Sequence, residues 1–346
     1  MTKHIEKYIK KKLEKSPLLS TIAQLIKYRN DAEYIALAQG LRNNPNIIEL
    51  KQQFSRYDEH KTVCLIKAGS KADGFFACVR WALDGIYFCD TFGFIPYIVF
   101  DESSPYKDSS MPANVNPFMY YFNEPYEVDI DSVHYIKYNN RNRLFAEKLN
   151  GGVNYSVTRE YIEIMGALMK KYLHFNSATL SRIGEEIGRR KIDESLLGVH
   201  IRGTDYKDNY KNHPKYIGPQ EYYPLIDAAI NQYGFKGIFL ATDDKDILDE
   251  FVCHYGEGEV HYAINATRSS GLSGIHTAGA ASPYKLGLDV VYDMCSLAKC
   301  GGIISGMSQV GLCARVYKKS TNESFLYDKI IDCGVNQTGK SFAIKG

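Results

Sequence analysis

The sequence predicts an α/β fold of two Rossmann-like, doubly wound units with a cleft between them. Three observations predict it. Short apolar runs alternate with longer stretches of helical pattern, the order expected of parallel strands joined by crossover helices. The runs end in glycine, aspartate or serine, residue types that suit strand-to-helix turns. The length of 346 residues suits two domains of ordinary size. The expected division is 1–190, a helical segment followed by the first α/β unit, and 191–346, the second.

The first 55 residues are polar and helical in pattern, with Ile5, Ile9 and Leu13 spaced by four among Lys7, Lys10, Lys11 and Lys12. Such a helix either packs by its apolar stripe or lies on a membrane surface. An apolar run from Thr62 to Lys67 leads into Gly69-Ser70-Lys71-Ala72-Asp73-Gly74, a helix to about Thr91 and a second run, Ile95 to Phe100. The stretch from Asp101 to Asn154 is rich in Pro, Asn and Tyr, and reads as loops with one strand, Val133 to Lys137; loops of this kind often carry binding residues. Helices over Tyr155 to Leu173 and Ser177 to Arg189 lead to the second unit. There the order is strand Leu196 to Ile201, helix Pro219 to Tyr233, strand Gly237 to Ala241, helix Lys245 to His254 and strand Glu259 to Ala263. A Ser/Gly-rich loop, Arg268 to Ser282, precedes a helix to Lys299, a strand Gly301 to Ser305 and a last helix from about Ser308.

Hydrophobic and charged contents of 45% and 24% are those of a globular protein, and a formal net charge of +2 gives no electrostatic footprint for nucleic acid. The eight cysteines form no CxxC pair and read as reduced thiols. No apolar h-region and no long apolar run occur, so the expected location is the cytoplasm, at most peripheral to the membrane through the basic N-terminal helix. Tyrosine is abundant, at 27 against one tryptophan, which suits either carbohydrate clefts or the edges of the core.

In a doubly wound sheet, ligands bind beyond the carboxyl ends of the strands, which singles out three tips. The first, His200-Ile201-Arg202-Gly203-Thr204-Asp205, offers Arg202 to an anion, or to a surface ion pair. The second, Thr242-Asp243-Asp244, either serves the site or caps the next helix. The third, Ser305 to Gly311, enters a helix through Ser308 and Gln309, whose first-turn N–H groups suit a phosphate; a plain serine cap reads equally well. Asp293, in Gly287-Leu288-Asp289-Val290-Val291-Tyr292-Asp293, is a carboxylate on an otherwise apolar helix face. It needs a partner, and a guanine edge, an internal arginine or a backbone amide would each serve.

Taken in order, HIRGTD, His213-Pro214, Glu221-Tyr222, FLATDD and DMCSLAKCGGIISGMSQV resemble the α-1,6-fucosyltransferase and protein O-fucosyltransferase superfamily, a GT-B group using GDP-fucose. The resemblance spans about Leu196 to Val316. It implies a fucosyltransferase-type glycosyltransferase of carbohydrate biosynthesis, with GDP-fucose as donor substrate, a glycan acceptor and no cofactor or metal. His200 and Asp293 are then assigned to the guanine, Arg202 and the Ser308-Gln309 turn to the diphosphate, and Asp243 and Asp244 to support of the donor site. Gly74 belongs to a loop like the family's glycine loop. Gly203 and Tyr206 stand where α-1,6 enzymes usually carry a second Arg and a Lys, and the segment from Asp205 to His213 is one residue shorter. The family's acidic base position falls between Asp208 and Asn209, which makes Asp208 the base candidate, with Asp205 the alternative and the residue better suited to hold the turn. Two rival readings are a metal-dependent GT-A transferase using Asp129-Ile130-Asp131, and a sugar- or nucleotide-binding protein without catalysis.

Overall fold

The computed structural model describes residues 61–70, 73–138, 158–269 and 281–338, with isolated positions 26, 146 and 149. The lysine-rich N-terminal pattern and most of the Ser/Gly-rich loop lie outside the described residues. The chain divides at Glu59/His60, and the elements below belong to the second unit, His60–Gly346.

Strand β1 (Val63–Ala68), helix α1 (Phe75–Phe92) and strand β2 (Ile95–Phe100) form a parallel βαβ unit, with Val63 opposite Ile95. Strand β3 (Tyr135–Lys137) joins on the other edge, giving the parallel order β2-β1-β3. Helices α2 (Arg159–Tyr172) and α3 (Ser177–Arg190) follow, capped by the side chains of Thr158 and Asn176. Residues 155–157, expected within the first of these helices, lie outside the described residues. The expected joint at 190/191 falls at the end of α3.

The second sheet contains β4 (Leu196–Ile201), β5 (Gly237–Thr242), β6 (Val260–His261), β7 (Gly302–Gly306) and β8 (Tyr327–Ile331). Its order is β6-β5-β4-β7-β8, all parallel. Helices α4 (Tyr223–Tyr233), α5 (Lys245–Tyr255), α6 (Pro283–Lys299) and α7 (Gln309–Ser320) make the connections. Every residue of β4 and β5 is buried, which is why both read as apolar runs broken only by His200 and Thr242 near their carboxyl ends. Leu197, Val199, Ile201, Leu240, Phe251 and Ile304 form the centre of the core here.

The chain builds β4, β5 and β6 outward in one direction, then returns to lay β7 on the other side of β4. The β4–β7 border is therefore the switch point of the sheet, where the strand ends splay and leave a crevice. Tyr222, 1% exposed, spans that border: its hydroxyl donates to the His200 carbonyl at 3.2 Å and accepts from the Gly306 N–H at 2.9 Å. The two sheets are joined through helices, since α7 packs on both α1 and α2.

Candidate active site

A cavity of about 220 Å³ opens at the carboxyl ends of the second sheet and is closed on its other side by the start of α1. Its wall includes Asp73 to Ala77 and Tyr106 from the first half. From the second half it includes His200, Arg202, Asp205, Tyr206, His213, Thr242, Asp243, Thr267, Asp289, Asp293, Ser308 and Gln309.

Two helix N-termini border this space. Helix α1 begins at Gly74 with no side-chain cap, and a Cβ at Gly74 would meet nothing within 4 Å. The start of α1 thus borders the cavity without a cap from its own N-cap residue, and the Tyr106 side chain meets the Phe75 N–H there. Helix α7 begins behind Ser308, whose Oγ accepts from the Gly311 N–H at 3.0 Å, so the serine cap exists. The same oxygen meets His200 Nδ1 at 3.1 Å. His200 is 5% exposed, and burial, with Arg202 and Arg315 adding to it, pushes its pKa down to about 3. It is therefore a neutral imidazole, with Nε2 the ring nitrogen left to meet a ligand.

Arg202 is held by two carboxylates. Its Nε and Nη2 donate to Asp205 Oδ1 and Oδ2 at 2.9 and 3.0 Å, and its Nη1 lies 2.6 Å from Asp243 Oδ2. Against the lowering effect of burial, Asp243 and Asp205 raise its pKa further, so the guanidinium stays charged. Asp243 also accepts from the Gly203 N–H and the Thr204 hydroxyl, both at 2.9 Å. This ties the turn after β4 to the turn after β5. Asp205 thus holds the HIRGTD turn in shape, and Arg202 is ion-paired as well as placed in the cavity wall.

Asp244 has a different place from its neighbour. It is fully buried, caps α5 by accepting from the Asp246 N–H at 2.9 Å, pairs with Lys207 Nζ at 2.5 Å and does not reach the cavity wall. The helix-cap reading holds for Asp244, and Asp243 alone of the two faces the site. Gly203 lies against Asp244: a Cβ there would come within 2.6 Å of Oδ2 and 2.9 Å of Cγ. A second arginine at this position is excluded by that packing. Asp208 ends the short helical turn Thr204–Asp208 and is not among the residues of the cavity wall.

Asp293 lines the cavity from α6, and its Oδ1 is buried without a hydrogen-bond partner. Arg190 Nη1 is 3.5 Å away, and Arg190 Nε and Nη1 and Arg268 Nη2 are likewise buried without hydrogen bonds. Burial, only partly offset by Arg190 and Arg268, raises the Asp293 pKa to about 6. One turn earlier, Asp289 accepts from Thr267 N–H and Lys285 Nζ, at 3.2 and 2.6 Å. The i, i+4 spacing of Asp289 and Asp293 was the sequence signal that both share a face. Among the described residues, Arg202 is the one arginine or lysine in a wall that also holds Asp73, Asp205, Asp243, Asp289 and Asp293.

From the tyrosine-rich loops Tyr106 reaches the cavity, while Asp108 Oδ2 and the Tyr121 hydroxyl instead anchor the start of α6, at Tyr284 N–H (3.1 Å) and the Tyr284 carbonyl (3.1 Å). Asp129 and Asp131 lie in an exposed turn away from the cavity wall, and no cluster able to hold a metal ion occurs among the described residues. His213 is carried on a segment pinned by the chain's last strand-like stretch. Asn212 N–H donates to the Asn336 carbonyl and Asn336 N–H to the His213 carbonyl, both at 2.8 Å, and Lys215 N–H donates to the Gly334 carbonyl at 3.0 Å. All eight cysteines are free thiols, six of them buried. No helix among the described residues is long and apolar enough to cross a membrane.

The fold and site define a two-sheet parallel α/β protein with a polar crevice at a strand switch point. In fold it is similar to the NodZ α-1,6-fucosyltransferase co-crystallized with GDP, at a TM-score of 0.47 and 14% identity over 76% of this chain and 92% of that one. Fucosyltransferase NodZ from Bradyrhizobium gives 0.46 at 13% identity, covering 76% and 93% of the two chains. POFUT1 in complex with GDP gives 0.46 at 11% identity, covering 79% and 99%. No family model matches the sequence, and no curated protein matches it either.

Proposed function

We propose that the chain is a glycosyltransferase that takes a GDP-sugar, GDP-fucose by the HIRGTD resemblance, and passes the sugar to a hydroxyl of a glycan or other surface-glycoconjugate acceptor. One observation carries the reading. A single cavity combines two helix N-termini and Arg202, which suit a diphosphate, with a buried carboxylate, Asp293, whose Oδ1 is ion-paired with Arg190 Nη1 at 3.5 Å but makes no hydrogen bond. Guanine supplies N1–H and an exocyclic amine to such a carboxylate, while uracil and adenine do not present that pair.

The reaction follows as a single inverting displacement. The acceptor oxygen attacks the anomeric carbon as the bond to the diphosphate breaks, and the charge growing on GDP is met by Arg202 and the N–H groups at the starts of α1 and α7. These groups do what a metal ion would do, so the reading is metal-independent. The acceptor's proton passes to a carboxylate, Asp208 being our candidate although it stands outside the cavity wall, since Asp205 is held bidentately by Arg202. Thermal-shift titration with GDP, UDP and ADP in EDTA tests the donor site. GDP alone should raise the melting temperature; equal shifts by UDP, or a GDP shift that requires Mg²⁺, would overturn the reading.

A further inference from the structure

The side-chain amide of Gln309 has two chemically opposite ends, and the structure decides which end a ligand meets. Gln309 is the first residue of α7 and half-buried in the cavity wall. Its Oε1 accepts from Arg80 Nη1 at 3.4 Å. Arg80 comes from α1 and is 3% exposed. It sits in a polar cluster with Asp84, 2% exposed, and Tyr161 of α2: the tyrosine hydroxyl donates to Asp84 Oδ1 at 2.7 Å, and the Arg80 guanidinium lies 5.2 Å from the Tyr161 ring centre. Arg80 itself is not part of the cavity wall.

We propose that Arg80 is a positioning residue that sets the orientation of the Gln309 amide for the diphosphate. A guanidinium has donors only, so the group facing it must be the amide oxygen. The amide N–H₂ is then turned toward the cavity. Diphosphate oxygens are acceptors only, and they gain a hydrogen bond from this end and repulsion from the other. Oxygen and nitrogen of an amide are nearly equal in size, so packing alone would not select between the two orientations; the chemistry of Arg80 does. The inference rests on the diphosphate reading of the cavity.

The test is a set of GDP affinities, measured by titration calorimetry on the full chain. Removing Arg80 alone would leave Asp84 buried without its cation and endanger the fold. The pair Arg80→Gln/Asp84→Asn removes both charges together and puts at position 80 an amide that no longer dictates the flip. Gln309→Ala should weaken GDP by about tenfold or more, as for a hydrogen bond to a charged group. The paired variant should weaken GDP about threefold or more, yet have no effect when Gln309 is already alanine. Equal losses in both backgrounds, or unchanged affinity with Gln309 present, would overturn the proposal. A wild-type chain that does not bind GDP at all would instead refute the donor-site reading itself.

Discussion

Replacing Asp293 by asparagine should yield a protein that melts higher than wild type but no longer holds its nucleotide. Burial raises the Asp293 pKa from 3.8 to about 6, with the opposing pull of Arg190 and Arg268 already included. A raised folded-state pKa favours folding below the unfolded value and loses that benefit as pH rises through the folded one, so at neutral pH the apo protein carries a charge it would rather not bury. About two pKa units correspond to about 3 kcal/mol at pH 7. Asparagine has the same shape and no charge, and Arg190 keeps its pairing with Glu186 at 3.2 Å. Part of the gain is returned in burying the amide, which leaves an expected rise in melting temperature of roughly 3 °C. GDP affinity should fall sharply, because an amide can accept at one end only where a carboxylate accepts at both. The wild type adds a second signature: GDP binding needs the ionised carboxylate, so it should weaken by about tenfold per pH unit below pH 6. Differential scanning calorimetry of the apo proteins, with GDP titrations from pH 5 to 8, reads both effects. An asparagine variant that melts at or below wild type, or one that binds GDP as wild type does, would refute the argument.

Arg202→Ala should fold and lose about 100-fold or more in transfer, the scale of losing a charge-stabilising donor, as read by GDP release with acceptor present. Near-normal turnover would put the diphosphate elsewhere. Asp208→Asn should keep GDP affinity and lose transfer by about 100-fold; transfer within a few-fold of wild type would remove Asp208 from the chemistry. Gly203→Ala should destabilise by about 1–3 kcal/mol in denaturant unfolding, because its Cβ would press on Asp244 where α5 is capped. Relieving Asp244 by Asp244→Gly in the same chain should reduce that penalty, because the nearest atom to the new Cβ is the Asp244 Cβ, and an unchanged penalty would mean the contact is not its cause.

Much of the fold was legible because the second sheet is parallel and buried on both faces. Leu196–Ile201 and Gly237–Thr242 are apolar apart from His200 and Thr242 near their carboxyl ends, and few other structures ask for that pattern. Strand β8 was not anticipated. Tyr327–Ile331 is an edge strand with exposed Asp328 and Lys329, so its sequence carries no apolar run. In the site, strand-tip reasoning brought out Arg202, Asp243, His200 and Ser308, which do line one cavity. It did not separate Asp243 from Asp244, because adjacent side chains after a strand point opposite ways and only the path of the turn decides which faces in. Asp289 was missed although its i, i+4 spacing from Asp293 marked the shared helix face; Asp73, Thr267 and Arg80 were missed for a related reason. Their roles come from packing between elements far apart in the chain, which no local spacing encodes.

The pinning of the His213 segment by residues 334–336 bears on when the cavity wall can be completed. During synthesis the strands β4, β5 and β7 can pair as soon as each emerges, since none needs anything later in the chain. The hydrogen bonds that anchor Asn212, His213 and Lys215 need Gly334 and Asn336. A nascent chain halted before Gly334 would thus hold a formed sheet beside an unfinished wall. Released chains ending just before and just after this stretch should differ in proteolytic sensitivity near residue 212, more than 120 positions from the cut.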